Sequence, residues 1–392
     1  MKSIKHILSI GLMACSITSL LACELHSKKP ENPTLIAKAI SSESKPSKHY
    51  VKVALLLDTS NSMDGLINQA KAQLWDIVNN FTYARCGNET RPNLQIALYQ
   101  YGNDDLPSNE GYIQQVLGFS SDLDEISQKL FSLTTNGGEE FCGEVIQTSL
   151  KQLEWGKNPD NLKMIFIAGN EPFSQGKLNY VDAVTNAKEK DIVVNTIFCG
   201  NYDQGISSHW KKGATLTGGE YMAIDHNRQV VQIKTPYDKV IIELNSKLNN
   251  TYISYGSLGR SKMELQSVQD SNAMELEEGV AVKRAVSKSS RLYKNSTWDL
   301  VDASDDKDFK LSKLSKEQLP KELQGKSEAQ IQKYIAQKKS DRKMIQEKIN
   351  ALNVKREAYI AKQQKEGTKG ELENAMLTAI KKQAAKKNYT WE

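Results

Sequence analysis

The sequence predicts an α/β protein: one doubly wound, mostly parallel six-stranded sheet with a single antiparallel edge strand, followed by a helical C-terminal region. Three observations carry this expectation. From about Tyr50 to about Tyr255, apolar runs of strand length alternate with stretches of helical period. One early pair of runs is joined by a connection too short for a crossover helix. Beyond Ser327, apolar residues recur on a heptad spacing.

The first strand is Val51-Lys52-Val53-Ala54-Leu55-Leu56-Leu57, a near-continuous apolar run of the kind buried on both faces of a sheet. Leu66, Ala70, Leu74, Ile77, Val78 and Phe81 then fall on one helical face, predicting a helix over 64–83. Strands follow at Leu94–Tyr99 and Tyr112–Leu117, linked through Gly102-Asn103-Asp104-Asp105-Leu106-Pro107. Turn residues without room for a helix make this a hairpin, so the second of the two strands runs antiparallel at an edge. Helices are expected at Leu123–Leu133 and Cys142–Leu153, joined by Thr134-Thr135-Asn136-Gly137-Gly138-Glu139-Glu140. Then come strand Lys163–Ala168, helix Val181–Lys190, strand Ile192–Phe198, a helix near Ile206–Ala214, strand Glu220–Ile224 and helix Tyr237–Leu248. Such alternation implies right-handed crossovers, with helices on both faces of the sheet.

Beyond Tyr255 the expected pattern is an irregular linker or docking segment over 257–310, with Trp298-Asp299-Leu300-Val301 as a strand or docking piece. A basic helical region is expected over 311–392. Ser327 and Gln330 fit a capping box, and Ile331, Ile335, Ile345, Ile349, Leu352 and Tyr359 follow a coiled-coil seam. Lys338, Arg342 and Arg356 interrupt that seam, which favours a long helix packed on its own domain over a coiled-coil dimer.

Asp58-Thr59-Ser60-Asn61-Ser62 directly follows the first strand, so a carboxylate and two hydroxyls are delivered at a strand's carboxyl end, where α/β sheets place their ligands. Oxygen donors of this kind suit Mg²⁺, which keeps several waters and takes few protein carboxylates. The motif resembles the metal-ion-dependent adhesion site of von Willebrand factor type A domains, and the element order over 50–256 is similar to that Rossmann-like fold. The resemblance implies that the first and fourth strands lie side by side, and that Asp58, Ser60 and Ser62 hold Mg²⁺, with Mn²⁺ or Ca²⁺ as alternatives. A threonine and an aspartate from two further loops complete the family's set, and an acidic side chain of a protein partner completes the coordination.

Here those further loops depart from the family pattern. The second offers Thr135, then Glu139 and Glu140 after the Gly-Gly pair, and the third offers Asn170 in Ala168-Gly169-Asn170-Glu171. Loss of the third-loop carboxylate removes one negative charge that a second-loop glutamate restores, so Thr135, Glu139 and Asn170 join the candidate ligands. The competing reading has Asp58 merely capping the following helix. Asp104 and Asp105, at the hairpin tip, either face the crevice or only make the turn.

The N-terminus carries Lys2 and Lys5, an apolar stretch from Ile7 to Leu21, and then Leu20-Leu21-Ala22-Cys23. This reads as a signal peptide over 1–22, being short of the ~20 residues a bilayer requires. The closing residues resemble a bacterial lipobox, which implies lipidation of Cys23 and a bacterial cell envelope location, the outer membrane being favoured by Glu24 in a Gram-negative cell. Residues 23–49, rich in Ser, Lys, Pro and Glu, read as a flexible tether.

Residues 321–392 hold 17 Lys and Arg against 9 Asp and Glu, a net of +8, whereas the whole chain is +5 and the rest therefore −3. For an exported protein this basic tail points to a solvated helix face or an anionic envelope surface rather than nucleic acid.

Cys15 leaves with the signal and Cys23 is lipidated, so Cys86, Cys142 and Cys199 remain. Cys142 and Cys199 are expected at the crevice side of the sheet and Cys86 at the opposite end, favouring a Cys142–Cys199 disulfide, with free buried thiols as the alternative.

No enzyme signature is present. The Asp58 loop has Ser60 where a phosphatase of the haloacid dehalogenase type needs its second acid. Tyr255-Gly256-Ser257-Leu258-Gly259 lacks the first glycine of a nucleophile elbow. The histidines show no zinc spacing, and no glycine-rich phosphate loop occurs. The sequence thus points to a membrane-anchored lipoprotein that binds a protein partner through a divalent ion, with a metal-independent envelope scaffold acting through its C-terminal helices as the alternative.

Overall fold

The computed structural model describes residues 49–87, 91–228, 232–363 and 371–391. The signal segment, Cys23 and the tether through residue 48 lie outside the described residues.

β1 (Tyr50–Asp58) leads into α1 (Asp64–Thr82) through one turn of 3₁₀ helix, and the short β2 (Ala84–Cys86) follows. β3 (Asn93–Tyr101) and β4 (Ile113–Ser120) form the expected hairpin, then α2 (Leu123–Phe131), α3 (Cys142–Gln152), β5 (Leu162–Gly169), α4 (Tyr180–Glu189) and β6 (Val193–Cys199). Where one helix was expected near Ile206–Ala214 there are two, α5 (Tyr202–Ser207) and α6 (Trp210–Leu216). His209 between them takes a left-handed conformation, φ 74°, which ends one helix before the next begins. β7 (Tyr221–Ile224) and α7 (Asp238–Asn249) complete the alternating part.

The sheet order is β4-β3-β1-β5-β6-β7, with every pair parallel except β3 with β4. Asp58 pairs with Tyr101 and Leu57 with Ala168, so β1 lies between β3 and β5 at the point where the winding direction reverses. Side-chain alternation divides the core. Val53, Leu55 and Leu57 pack beneath α1, α2 and α7, whereas Ala54 and Leu56 pack against α3, α4 and α6.

The region after Tyr255 differs from expectation. Instead of an irregular linker, α8 (Gly259–Leu276) and α9 (Glu278–Lys288) form, packing on α2, α1 and α7. The buried face of α8 carries Gln266, Gln269 and Ala273, so no apolar period marks it in the sequence. Charges hold it instead: Arg284 contacts Asp124 at 2.8 Å and Asp270 at 2.6 Å, and Lys288 contacts Asp270 at 2.8 Å. These paired carboxylates and cations satisfy one another where an isolated charge would be costly. Burial pushes the Lys288 amine down to about 8, with Asp270 opposing it. Trp298–Val301 is not a strand; Asp299 caps the short α10 (Leu300–Ala303) and joins only an isolated bridge to Ser254.

α11 (Glu328–Gln363) begins at the expected capping box, with Ser327 N–H donating to Gln330 Oε1 at 2.8 Å and Gln330 N–H to Ser327 Oγ at 3.3 Å. It packs on α7, α9 and α10 of its own chain. The arginines that interrupt its seam are among its best-buried residues. Arg342 reaches Asp299 and Asp302, each at 2.7 Å, and stacks 4.0 Å above the Tyr252 ring, while Arg356 reaches Asp238 at 2.9 Å. α12 (Glu371–Ala385) adds Met376, Ala379 and Ile380 to the core beside α1, and β8 (Tyr389–Trp391) pairs antiparallel with β2. The described residues from 49 onward therefore form one compact unit, without borders at 256 or 310. Among the described residues no helix is long and apolar enough to cross a membrane.

Candidate metal centre

β1, β3 and β5 end together, and their loops meet over Asp58. Asp58 is fully buried; its Oδ1 accepts the Ser60 N–H at 2.8 Å, and its Oδ2 has no hydrogen-bond partner. The buried Ser60 hydroxyl likewise meets no partner at full hydrogen-bond geometry, although it lies near enough to the Asp58 and Glu140 carboxyls, as the Asn170 N–H does to Asp58, to favour their charged forms. Across the switch point, Asn170 Nδ2 donates to Ser62 Oγ at 3.1 Å, while Asn170 Oδ1 is buried without a partner. Met63, not Asp58, stands at the N-cap of α1, and it makes no side-chain cap. The carboxylate of Asp58 is thus turned into its own loop and the crevice rather than used as a cap.

Two glycines bring the second loop onto the hairpin. A Cβ on Gly138 would strike the Gly102 carbonyl oxygen at 2.6 Å, and one on Gly102, at φ +74°, would strike Glu140 Cγ at 2.5 Å and approach Asp58 Oδ1 at 3.1 Å. This contact sets which glutamate enters. Glu140 is 6% exposed and faces Asp58, whereas Glu139, the expected ligand, is exposed to solvent. Thr135 is diverted as well, its hydroxyl bonding the Asp64 carboxylate. The structure therefore brings together Asp58, Ser60, Ser62 and Asn170 of the expected set, adds Glu140, and leaves Thr135 and Glu139 aside.

Burial raises the Asp58 carboxyl to about 7, aided by the charge of Glu171 and opposed by the Ser60 N–H. Burial likewise raises Glu140 to about 8, and Asp58 and Glu171 add to it. Two carboxyls that resist ionisation side by side either retain protons or need a cation. Among the described residues no three His, Cys, Asp or Glu side chains form a metal cage. The donor set is instead two carboxylates, two hydroxyls and an amide oxygen, all hard ligands suited to Mg²⁺ or Ca²⁺. The orphaned oxygens of Asp58, Ser60 and Asn170 fit such an ion.

The cysteines correct an expectation. Cys142, Cys199 and Cys86 are free and buried. Cys142 belongs to the core on the α3 face, near the Tyr101 hydroxyl at 3.8 Å, while Cys199 belongs to the core beneath α1. The sheet lies between them, so the expected Cys142–Cys199 bridge does not form. One neighbour was not foreseen: His226 Nε2 lies 3.1 Å from the Ser62 carbonyl oxygen.

Residues 52–206 match the family model described as the von Willebrand factor type A domain. This segment is a von Willebrand factor type A domain. Such domains commonly mediate protein–protein interaction and often bind a divalent metal. Among solved structures, the type A domain is similar to proximal thread matrix protein 1 of the mussel byssus, at 13% identity over 46% of this chain and 42% of that one, TM-score 0.34. This chain thus spans less than half the length of the mussel protein. It is also similar to the conserved hypothetical protein BatB from Bacteroides thetaiotaomicron, at 17% identity over 45% and 90% of the two chains, TM-score 0.34. The SpRpn10 VWA domain is matched at 14% identity over 45% and 88%, TM-score 0.34. Comparison with curated proteins gives no match.

Proposed function

We propose that this chain is an exported, membrane-tethered binding protein whose type A domain takes a divalent cation at the ends of β1, β3 and β5 and engages a protein partner there. Asp58 and Glu140 supply carboxylates, Ser60 and Ser62 hydroxyls, and Asn170 its amide oxygen. Mg²⁺ is the favoured ion, with Mn²⁺ and Ca²⁺ as alternatives. The observation that carries this reading is the buried, unpartnered pair Asp58 Oδ2 and Ser60 Oγ beside Glu140. Orphaned buried oxygens cost about 1–3 kcal/mol each unless a ligand satisfies them. When bound, the ion supplies an open position for a partner's oxygen.

The test is calorimetric titration of Mg²⁺ and Mn²⁺ into the chain and into Asp58→Ala. Saturable binding that Asp58→Ala abolishes, with circular dichroism unchanged, supports the site. Equal binding by both proteins refutes it. The Leu20-Leu21-Ala22-Cys23 motif supports a lipid anchor at Cys23 in a bacterial cell envelope, and Cys23→Ser should abolish labelling by a fatty-acid probe. No catalytic step is proposed, since Ser60 stands where a second acid would be needed to protonate a leaving group. The scaffold alternative has less support, because Arg342, Arg356 and Lys387 of the C-terminal region are engaged within the fold.

A further inference from the structure

The first and second loops around the crevice carry acids without a balancing base: residues 58–64, 102–112 and 133–141 contain no lysine or arginine. The third loop sets Lys177 against Glu171, and the loop after β7 brings His226 to 3.1 Å from the Ser62 carbonyl oxygen, with Arg228 two residues on. Within them Asp104, Asp105, Glu139 and Glu171 are exposed, and among the described residues none of these four forms an ion pair. Their placement is specific. Asp105 Oδ1 accepts from Asn136 Nδ2 at 2.9 Å, and a Cβ on Gly137 would lie 3.3 Å from Asp104 Oδ2, so both acids lean over the second loop. The charge of Glu171 reaches Asp58 and Glu140 from the other wall. Asp64 is a separate case, its charge being felt by Lys71 further along α1.

A divalent ion does not reverse this field. Its two positive charges are matched by Asp58 and Glu140, leaving Asp104, Asp105, Glu139 and Glu171 in excess over Lys177 at the rim. An incoming carboxylate meets a neutralised ion and a ring of like charge, while a lysine or arginine is drawn in by complementary potential. The buried, unpartnered Asp58 Oδ2 and Ser60 Oγ mark the floor of the same crevice as a place for a ligand. Resting on the reading that this crevice is the binding face, we propose that its partner presents a lysine- and arginine-rich protein surface, the reverse of the acidic group implied by the family resemblance. The atom that touches the ion is then a neutral oxygen, such as a main-chain carbonyl, flanked by basic side chains that pair with the rim.

The experiment uses the full chain with fluorescent octalysine, octaglutamate and a neutral glycine-serine octamer, read by anisotropy at low ionic strength with Mn²⁺ or chelator present. Octalysine should bind and the other two should not. The double variant Asp105→Asn with Glu171→Gln, folded by circular dichroism, should weaken octalysine binding by about fivefold, as expected for two partly screened surface charges. Glu347→Gln, on the exposed face of α11, should leave it unchanged. Mn²⁺ calorimetry in parallel separates the two claims. If octaglutamate binds better than octalysine while Mn²⁺ binds, the basic-partner proposal falls and the metal reading stands. If Mn²⁺ does not bind but octalysine does, and the double variant weakens it, the metal reading falls and this proposal stands. Octalysine binding that ignores the double variant, or no octalysine binding, overturns the proposal.

Discussion

Glu140→Gln should flatten the pH dependence of cation binding, because it removes one of two carboxyls that must give up a proton to the ion. With Asp58 at about 7 and Glu140 at about 8, both are largely protonated at pH 6 and at least half ionised at pH 8. If both must be ionised to bind, apparent affinity should rise on the order of 500-fold from pH 6 to pH 8. In Glu140→Gln only Asp58 competes with protons, and the same interval should give roughly tenfold, less if Asp58 falls once its neighbour is neutral. The sign of the stability effect follows. Both carboxyls are raised above their unfolded values, so their contribution to ion-free stability is present below about pH 4 and lost as pH rises through 7 to 8. Without divalent ions the wild type should therefore melt lower at pH 8 than at pH 6, and Glu140→Gln should melt higher than wild type at pH 8. Mn²⁺ calorimetry in buffers of differing ionisation enthalpy gives affinities and protons released, and scanning calorimetry in chelator gives the melting points. Identical pH profiles for the two proteins would refute a role for Glu140 at the ion, and ion-free melting that rises towards pH 8 would refute the carboxyl pairing.

Three further outcomes follow from the fold. Arg342→Ala leaves the buried Asp299 and the half-buried Asp302 without their cation and should cost about 3–5 kcal/mol in urea unfolding; a loss below about 1 kcal/mol would mean that α11 is not seated through this residue. Thiol titration should find Cys86, Cys142 and Cys199 unreactive in the native protein and all three reactive in denaturant, and a non-reducing digest that yields a peptide joining Cys142 to Cys199 would contradict their opposite faces. Deleting residues 371–392 removes Met376, Ala379 and Ile380 from beside α1 and should speed amide exchange in α1 more than in α4, which lies across the sheet; equal exchange would refute that packing.

The sheet and the first loop were legible because their signals are local. An apolar run followed by Asp58, Ser60 and Ser62 needs only strand geometry to place its oxygens. The choice between Glu139 and Glu140 depends on Gly138 lying against Gly102, a contact across more than thirty positions that adjacent identical residues do not reveal. The sheet parity of Cys199 matches that of Ile197, but the face occupied by Cys142 is fixed only once α3 has crossed the sheet. α8 escaped notice because its buried side uses glutamines and a paired arginine on α9 instead of apolar residues. Arg342 and Arg356 interrupt an apolar pattern for a related reason: each is buried against a carboxylate that lies far away in sequence, Asp299 and Asp238 respectively.

The pairing of Cys86 in β2 with Tyr389 in β8 ties two segments about three hundred residues apart, and α12 seats the intervening chain against α1. A nascent chain can form the hairpin of β3 and β4 early, but α1 stays bare along one side until residues 371–391 have been synthesised. Closure of so long a loop is slow relative to local helix and hairpin formation. The fold is therefore completed late, once the segment that pairs with β2 and covers α1 has been made.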